Sequence, residues 1–262
     1  MTMRDNMSTV TYEVRDRVAE ILLDSPPVNA LNEGMIDALL DALHRAAKDD
    51  AVRAVILGSA VPRRFCAGLQ LDALHGASPQ RAYQLVDKLY SGLNEAQFRL
   101  GKPSIAAVGG TARGGGMTLA IHCDMIVAAD TATFGYPEID VGVTPAIHYT
   151  HLPRIIGRHR AFDLLFTGRS FGADEAMSLG LVNRIVPEAD VMCEARALAQ
   201  TFCDKSPVVM RMGRTAFLRA NDSDYRRGIA TAVESFGNVF ATDDAREGIS
   251  AFVEKRKPYW QA

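Results

Sequence analysis

The feature that most limits what this chain can fold into is a recurring unit: a short apolar run, then glycine or small residues, then a helical pattern. Ala54-Val55-Ile56-Leu57 closes on Gly58, Ser104-Ile105-Ala106-Ala107-Val108 closes on Gly109-Gly110, and Met125-Ile126-Val127-Ala128-Ala129 is a third run of the same kind. Unbroken apolar runs of this length read as strands covered on both faces, the mark of a parallel sheet. Parallel neighbours need crossovers. The helix expected from Asn32 to about Lys48 supplies one, with Met35, Ile36, Leu39, Leu40 and Leu43 at helical spacing behind an asparagine cap. Ahead of it, Thr11–Asp16 and Val18–Asp24 read as two strands joined by a tight turn and ended by Pro26-Pro27.

After Pro187 the texture changes. Cys193–Cys203, Pro207–Ala220, Asp224–Val239 and Asp243–Glu254 read as helices, with almost no strand signal. The expectation is an α/β core over 1–187 and a helical C-terminal region over 188–262, with no linker or repeat between them. A chain of 262 residues fits one large core with an appendage. Lys and Arg number 29 against 31 Asp and Glu, so there is no basic excess to steer a nucleic acid. The four cysteines are scattered and form no C-x-x-C, which argues against a zinc ribbon or a disulfide scaffold. Charges at Arg4, Asp5, Glu13 and Arg15 break any signal-peptide core, and no 18-residue apolar run follows. A cytoplasmic protein without a membrane partner is expected, and Met3 and Met7 leave its true start open.

Several motifs compete for a function. Gly168-Arg169-Ser170-Phe171-Gly172 matches the G-x-S-x-G nucleophile elbow, but every histidine precedes Ser170, the wrong chain order for that fold. His148 and His151, with His159 nearby, form an H-x-x-H that surface or loop polarity explains without a metal. Gly109 to Gly116 fits neither the Rossmann nor the Walker spacing. It does open a helix near Met117, so its N–H groups face either a ligand or a closely packed backbone. Phe65-Cys66-Ala67-Gly68-Leu69 is a second small-residue turn, and two such turns beyond neighbouring strands can aim two N–H groups at one oxygen. Glu138 follows Phe134-Gly135-Tyr136-Pro137 and is either a buried acid–base of raised pKa or a solvated loop carboxylate.

Taken in order, Pro26 to Asn32, Phe65 to Leu69, Gly114-Gly115-Gly116, Ala132 to Glu138, Leu152 to Gly157, Thr167-Gly168-Arg169 and Glu247 to Phe252 resemble the crotonase superfamily, the enoyl-CoA hydratase/isomerase family, over nearly the whole chain. The resemblance implies a crotonase-like α/β spiral of ββα units whose helical C-terminal region packs homotrimers or dimers of trimers. It implies an acyl-CoA thioester substrate, with coenzyme A part of the substrate and no separate cofactor. The thioester oxygen would lie between the N–H groups of Leu69 and Gly115, in a loop that includes Ala67 and Gly68. Lys255 in the tail would reach coenzyme A, with Arg63, Arg64, Lys102 and Arg256 as further basic candidates.

Two glutamates serve hydratases of this family. The second matches Glu138, whereas the first falls on Thr118, which holds a water or substrate group but is no base at neutral pH. Pro145-Ala146-Ile147-His148-Tyr149 replaces the Gly-rich stretch usual in hydratases, leaving His148 or Tyr149 as an additional polar catalytic group. A double-bond shift needs one carboxylate, so isomerisation with Glu138 as proton shuttle ranks first. Hydration ranks second, then lyase, decarboxylase or hydrolase chemistry, and last a non-catalytic homologue. Tyr83, Leu85 and Leu89, on a helix expected after Pro79, are candidate acyl-pocket residues.

Overall fold

The computed structural model describes residues 9–260; Met3 and Met7, and the charges at Arg4 and Asp5, lie outside the described residues. Strands β1 (Val10–Arg15) and β2 (Val18–Leu23) form a hairpin whose Asp16-Arg17 turn has both residues at positive φ. After β3 (Ala30–Leu31), helix α1 (Glu33–Lys48) is capped by Asn32, whose side chain accepts from the Met35 N–H. Strands β4 (Ala54–Ser59), β5 (Arg64–Cys66) and β6 (Gly68–Leu69) lead to α2 (Pro79–Asp87) and α3 (Leu93–Leu100). Then come β7 (Ser104–Val108), β8 (Thr111–Arg113) and α4 (Gly115–Ile121), followed by β9 (Met125–Ala129), β10 (Thr133–Gly135), α5 (Ala146–Ile156) and α6 (Arg158–Thr167). Strand β11 (Ser170–Gly172), α7 (Ala173–Ser178), β12 (Arg184–Val186), α8 (Val191–Cys203), α9 (Pro207–Phe240) and α10 (Asp243–Val253) complete the chain.

The three apolar runs are β4, β7 and β9, adjacent and parallel in a six-stranded sheet of order β1-β2-β4-β7-β9-β12. Each is followed by a short strand in a second sheet of order β11-β10-β8-β5. Every turn of the chain therefore adds one strand to each sheet and then a helical crossover, which is the expected ββα spiral. The small residues at the corners let successive turns stack: a Cβ at Gly110 would stand 2.1 Å from the Arg63 carbonyl.

Two expectations needed revision. The glycine run is not an uninterrupted loop, because Thr111–Arg113 forms β8 between β5 and β10. Three-residue strands carry too few side chains to show a period in sequence. The helices expected at 207–220 and 224–239 are one helix, α9, of 34 residues. The polar Asn221-Asp222-Ser223 interrupts the apolar pattern without a proline to break the backbone, and packing against α2 and α5 carries the helix through.

Helix α9 is tied to the sheets by a charged residue inside the protein. Arg214, on α9 and buried, donates to Asp124 Oδ2 at 2.8 Å and to the Gln97 carbonyl at 2.8 Å. The same Asp124 oxygen accepts from the Ser104 N–H and hydroxyl at 2.8 and 3.0 Å, joining the start of β7 to the turn before β9. Replacing Arg214 with Leu leaves Asp124, which solvent reaches, and the Gln97 carbonyl short of a donor. The expected cost is about 2 kcal/mol, read as a lowered midpoint in urea unfolding. Exposed Arg219→Leu on the same helix should leave the midpoint unchanged within error.

Candidate active site

The site begins with two backbones in contact. Gly68 has φ +94°, and a Cβ there would lie 3.0 Å from the Arg113 carbonyl oxygen and 3.2 Å from the Gly115 nitrogen. A Cβ at Gly116 would lie 2.2 Å from the Cys66 carbonyl oxygen, so no side chain fits between α4 and the β5–β6 segment. Glycine at these positions brings the Leu69 and Gly115 amides together: the Leu69 nitrogen is 3.4 Å from where a Gly115 Cβ would point. The first intrahelical bond of α4 runs from the Thr118 N–H to the Gly114 carbonyl, so the Gly115 N–H precedes the helix ladder. Strand β6 is held from the other side by β3, with Leu31 opposite Leu69.

Sequence reasoning missed what anchors β3. Asn29 is fully buried with φ +52°. Its side-chain oxygen accepts from the Ser25 N–H at 2.7 Å, and its side-chain amide donates to Ser59 Oγ at 2.8 Å and the Phe65 carbonyl at 2.9 Å. One side chain thus fixes the entry to β3, the end of β4 and the middle of β5. The signal was present in Pro27-Val28-Asn29-Ala30, since asparagine is among the non-glycine residues most enriched at positive φ.

Glu138 sits in a short 3₁₀ turn, Pro137–Val141, directly after β10. Its carboxylate packs on the α4 entry, with Oε1 3.0 Å from where a Gly114 Cβ would be. Oε2 is shielded from solvent and has no hydrogen-bond partner among the described residues. Burial pushes the Glu138 pKa from 4.5 up to about 7, so Glu138 is a buried carboxyl and not a solvated loop carboxylate. Glu138, Ala67, Gly68, Leu69, Gly114 and Gly115 line one cleft of about 490 Å³, large enough for a small-molecule ligand. Its remaining wall is mostly apolar, with Leu74, Leu89, Tyr90, Val143, Phe236 and Phe252 among the lining residues.

Other expected site residues lie elsewhere. Thr118, one turn into α4, is buried outside the cleft lining, its hydroxyl 3.3 Å from His148 Nε2. His148 is fully buried on α5 and is neither a surface nor a loop residue, and among the described residues no cluster of metal-binding side chains surrounds it. Lys255 is exposed after α10, three residues beyond the cleft-lining Phe252. Lys102 is committed to the carbonyls of Ala46 and Asp49, and Arg256 to Glu247 and Glu254. Arg64 bonds the Arg63 carbonyl and Thr111 Oγ1. Ser170 is exposed on β11 and accepts from Arg113, so no nucleophile elbow forms there. Of the three expected acyl-pocket residues only Leu89 lines the cleft; Tyr83 covers Gly237 of α9 and Leu85 is packed in the core. Leu89 and its neighbour Tyr90 both reach the cleft because Lys88–Gly92 is a single π turn, a wide turn typical of functional sites.

The sequence profile described as enoyl-CoA hydratase/isomerase matches residues 13–262. A probable enoyl-CoA hydratase of Mycobacterium bovis is 39% identical over 253 residues, 95% of this chain and 96% of that protein. A crotonyl-CoA hydratase of Syntrophomonas wolfei is 34% identical over 254 residues, with 95% and 96% covered. Among solved structures, a carnitinyl-CoA hydratase from Mycobacterium avium aligns with a TM-score of 0.86 at 31% identity, covering 98% of this chain and 99% of that one. These relatives bear hydratase names, and none of the three gives support to the first-ranked isomerisation.

The raised pKa of Glu138 has a consequence for stability. Between pH 4.5 and about 7 the folded protein holds a proton that the unfolded chain releases, so this group's effect is absent below that window and stability falls as pH rises through it. Glu138→Gln removes the titration. Its melting temperature relative to the parent chain should rise on going from about pH 4.5 to about pH 8, and a pH-independent difference would contradict the buried carboxyl.

Proposed function

The chain belongs to the enoyl-CoA hydratase/isomerase family, and we propose that within it this protein is an enoyl-CoA hydratase that adds water across a 2-enoyl-CoA with Glu138 as its one carboxyl catalyst. The observation that carries the proposal is a carboxyl of pKa about 7 packed against the entry of the helix that presents the Gly115 N–H. As water adds to C3, electrons move toward the thioester oxygen. The N–H groups of Leu69 and Gly115 stabilise that developing charge more than they stabilise the neutral carbonyl. Protonated Glu138 delivers its proton to C2, and its other oxygen takes the proton lost by the water. The carboxyl thus ends the cycle as it began, with no further cofactor.

A second reading, isomerisation, is favoured by Thr118, which contributes no carboxyl where the family's hydratases have their first glutamate. Here ionised Glu138 takes a proton from C2 of a 3-enoyl-CoA, the electron pair passes to the thioester oxygen, and the proton returns at C4. The two readings need opposite resting states of one group. The near-neutral pKa makes both forms available at pH 7.

Around this chemistry, Ala67 and Gly68 are proposed to shape the loop over the thioester, Thr118 to support the substrate end of α4, and exposed Lys255 to reach coenzyme A. A cytoplasmic homotrimer or dimer of trimers is the proposed assembly. The exposed apolar residues Ile155, Phe162, Phe166 and Phe217 support it, with Phe162 stacked on Phe166 at 4.2 Å. Among the described residues no helix is long and apolar enough to cross a membrane.

The deciding experiment offers 2-enoyl- and 3-enoyl-CoA thioesters and follows products by mass. Hydration adds one water, and its kcat/KM should fall above about pH 7. Isomerisation leaves the mass unchanged, and its kcat/KM should fall below about pH 7. Glu138→Gln should lower turnover by about 10²–10⁴-fold while crotonyl-CoA still binds. Unchanged turnover in that variant would remove Glu138 from the mechanism.

A further inference from the structure

The peptide between Gly114 and Gly115 carries one of the two N–H groups of the site, and its orientation decides what the cleft is offered. Gly114 has φ +49° and ψ −115°, outside both helix and strand regions, so the orientation of its neighbouring peptide planes depends on the hydrogen bonds made to them. In a trans peptide the C=O and the following N–H point in opposite directions. Whatever holds the Gly114 carbonyl therefore sets where the Gly115 N–H points. A rotated plane would offer the cleft a carbonyl oxygen instead of a donor.

Behind that carbonyl lie Thr118 and His148. The Thr118 N–H donates to the Gly114 oxygen at 3.1 Å, and the Thr118 hydroxyl lies 3.3 Å from His148 Nε2. Burial holds the imidazole uncharged. Its Nδ1 is buried with no partner among the described residues, so Nε2 is the nitrogen that bonds α4. The other face of the ring meets Tyr136 at 4.5 Å between centroids, two residues before Glu138. His148 is therefore wedged between the helix entry that carries the Gly115 N–H and the strand end that carries the carboxylate.

We propose that His148 is a positioning residue of the oxyanion hole: through Thr118 and the Gly114 carbonyl it holds the Gly114–Gly115 peptide with the Gly115 N–H turned into the cleft. The inference rests on the oxyanion role proposed for Gly115 above. It assigns His148 no proton transfer to substrate, since the ring does not line the cleft. It also gives Thr118 a function in this chain, as a hydroxyl that links the helix to the imidazole.

The test uses the full chain with butyryl-CoA labelled with ¹³C at the carbonyl, a saturated thioester with no double bond to react, and reads the carbonyl stretch of the bound ligand. Binding to the parent protein should lower that frequency. In His148→Phe, which keeps a ring but no hydrogen bonds, most of the lowering should be lost. Crotonyl-CoA turnover should fall about 10–100-fold, and butyryl-CoA affinity by less than about threefold. His148→Gln, which restores a donor, should recover at least half of both. If His148→Phe does not fold, Thr118→Val carries the same criteria. A full carbonyl shift and full turnover in the folded variant would overturn the role of His148 and leave the oxyanion hole standing. Absence of the shift in the parent protein would instead overturn the oxyanion reading, and the positioning role with it.

Discussion

The contact on which this site depends is between two pieces of backbone. Gly116 approaches the Cys66 carbonyl so closely that a methyl group would stand 2.2 Å from it, and that approach sets the distance between α4 and the β5–β6 turn. A side chain there would force the two apart and move the Gly115 N–H away from the Leu69 N–H. In the proposed mechanism these donors act through small differences in distance, so the geometry has to be built into the framework before substrate arrives. Asn29 performs the matching service on the far side, bonding two backbone groups and the Ser59 hydroxyl at once so that β3 can brace β6.

Electrostatically the site separates two kinds of polar group. The N–H donors are backbone groups and carry no net charge. Of the three carboxyls among the cleft residues, Asp72, Glu138 and Asp140, it is Glu138 that packs on the α4 entry, where burial opposes its ionisation. The nearby imidazole follows the same rule. Burial holds His148, which packs on Tyr136 two residues before Glu138, well below its ordinary pKa, so it places no cation beside that turn at neutral pH. A cation there would have lowered the Glu138 pKa and left no proton to give. The near-balance of charge in the whole chain, −2, thus has a local counterpart in a proposed mechanism that relies on backbone dipoles and the weak acid Glu138.

Much of this architecture is legible in the amino-acid sequence. The apolar runs of β4, β7 and β9, the Asn32 cap of α1 and the glycines before α4 each carry a local physical signal, and Glu138 stands out by its apolar surroundings. What is hidden shares a cause, since it depends on partners distant in sequence. Strand β8 is three residues long and exists because β5 and β10 flank it. Helix α9 runs through Asn221-Asp222-Ser223 because α2 and α5 pack along it. His148 and His151 read as loop polarity because the sequence does not say which turn of α5 faces the core, and Leu89 and Tyr90 share the cleft through a π turn that periodicity does not anticipate.

The order of the six-stranded sheet has a bearing on how the chain keeps to itself. A spiral that adds a parallel strand with each turn has no intrinsic stopping point, and its end strands would invite pairing with another molecule. The first edge, β1, meets that hazard with solvent-facing charge, Glu13 and Arg15, paired with each other on an otherwise exposed strand. The last, β12, is only three residues long and begins at Arg184, which is bound to Glu194 of α8. Both ends of the sheet are therefore poor templates for a further strand, and the repeating architecture terminates as a discrete particle rather than continuing into a fibre.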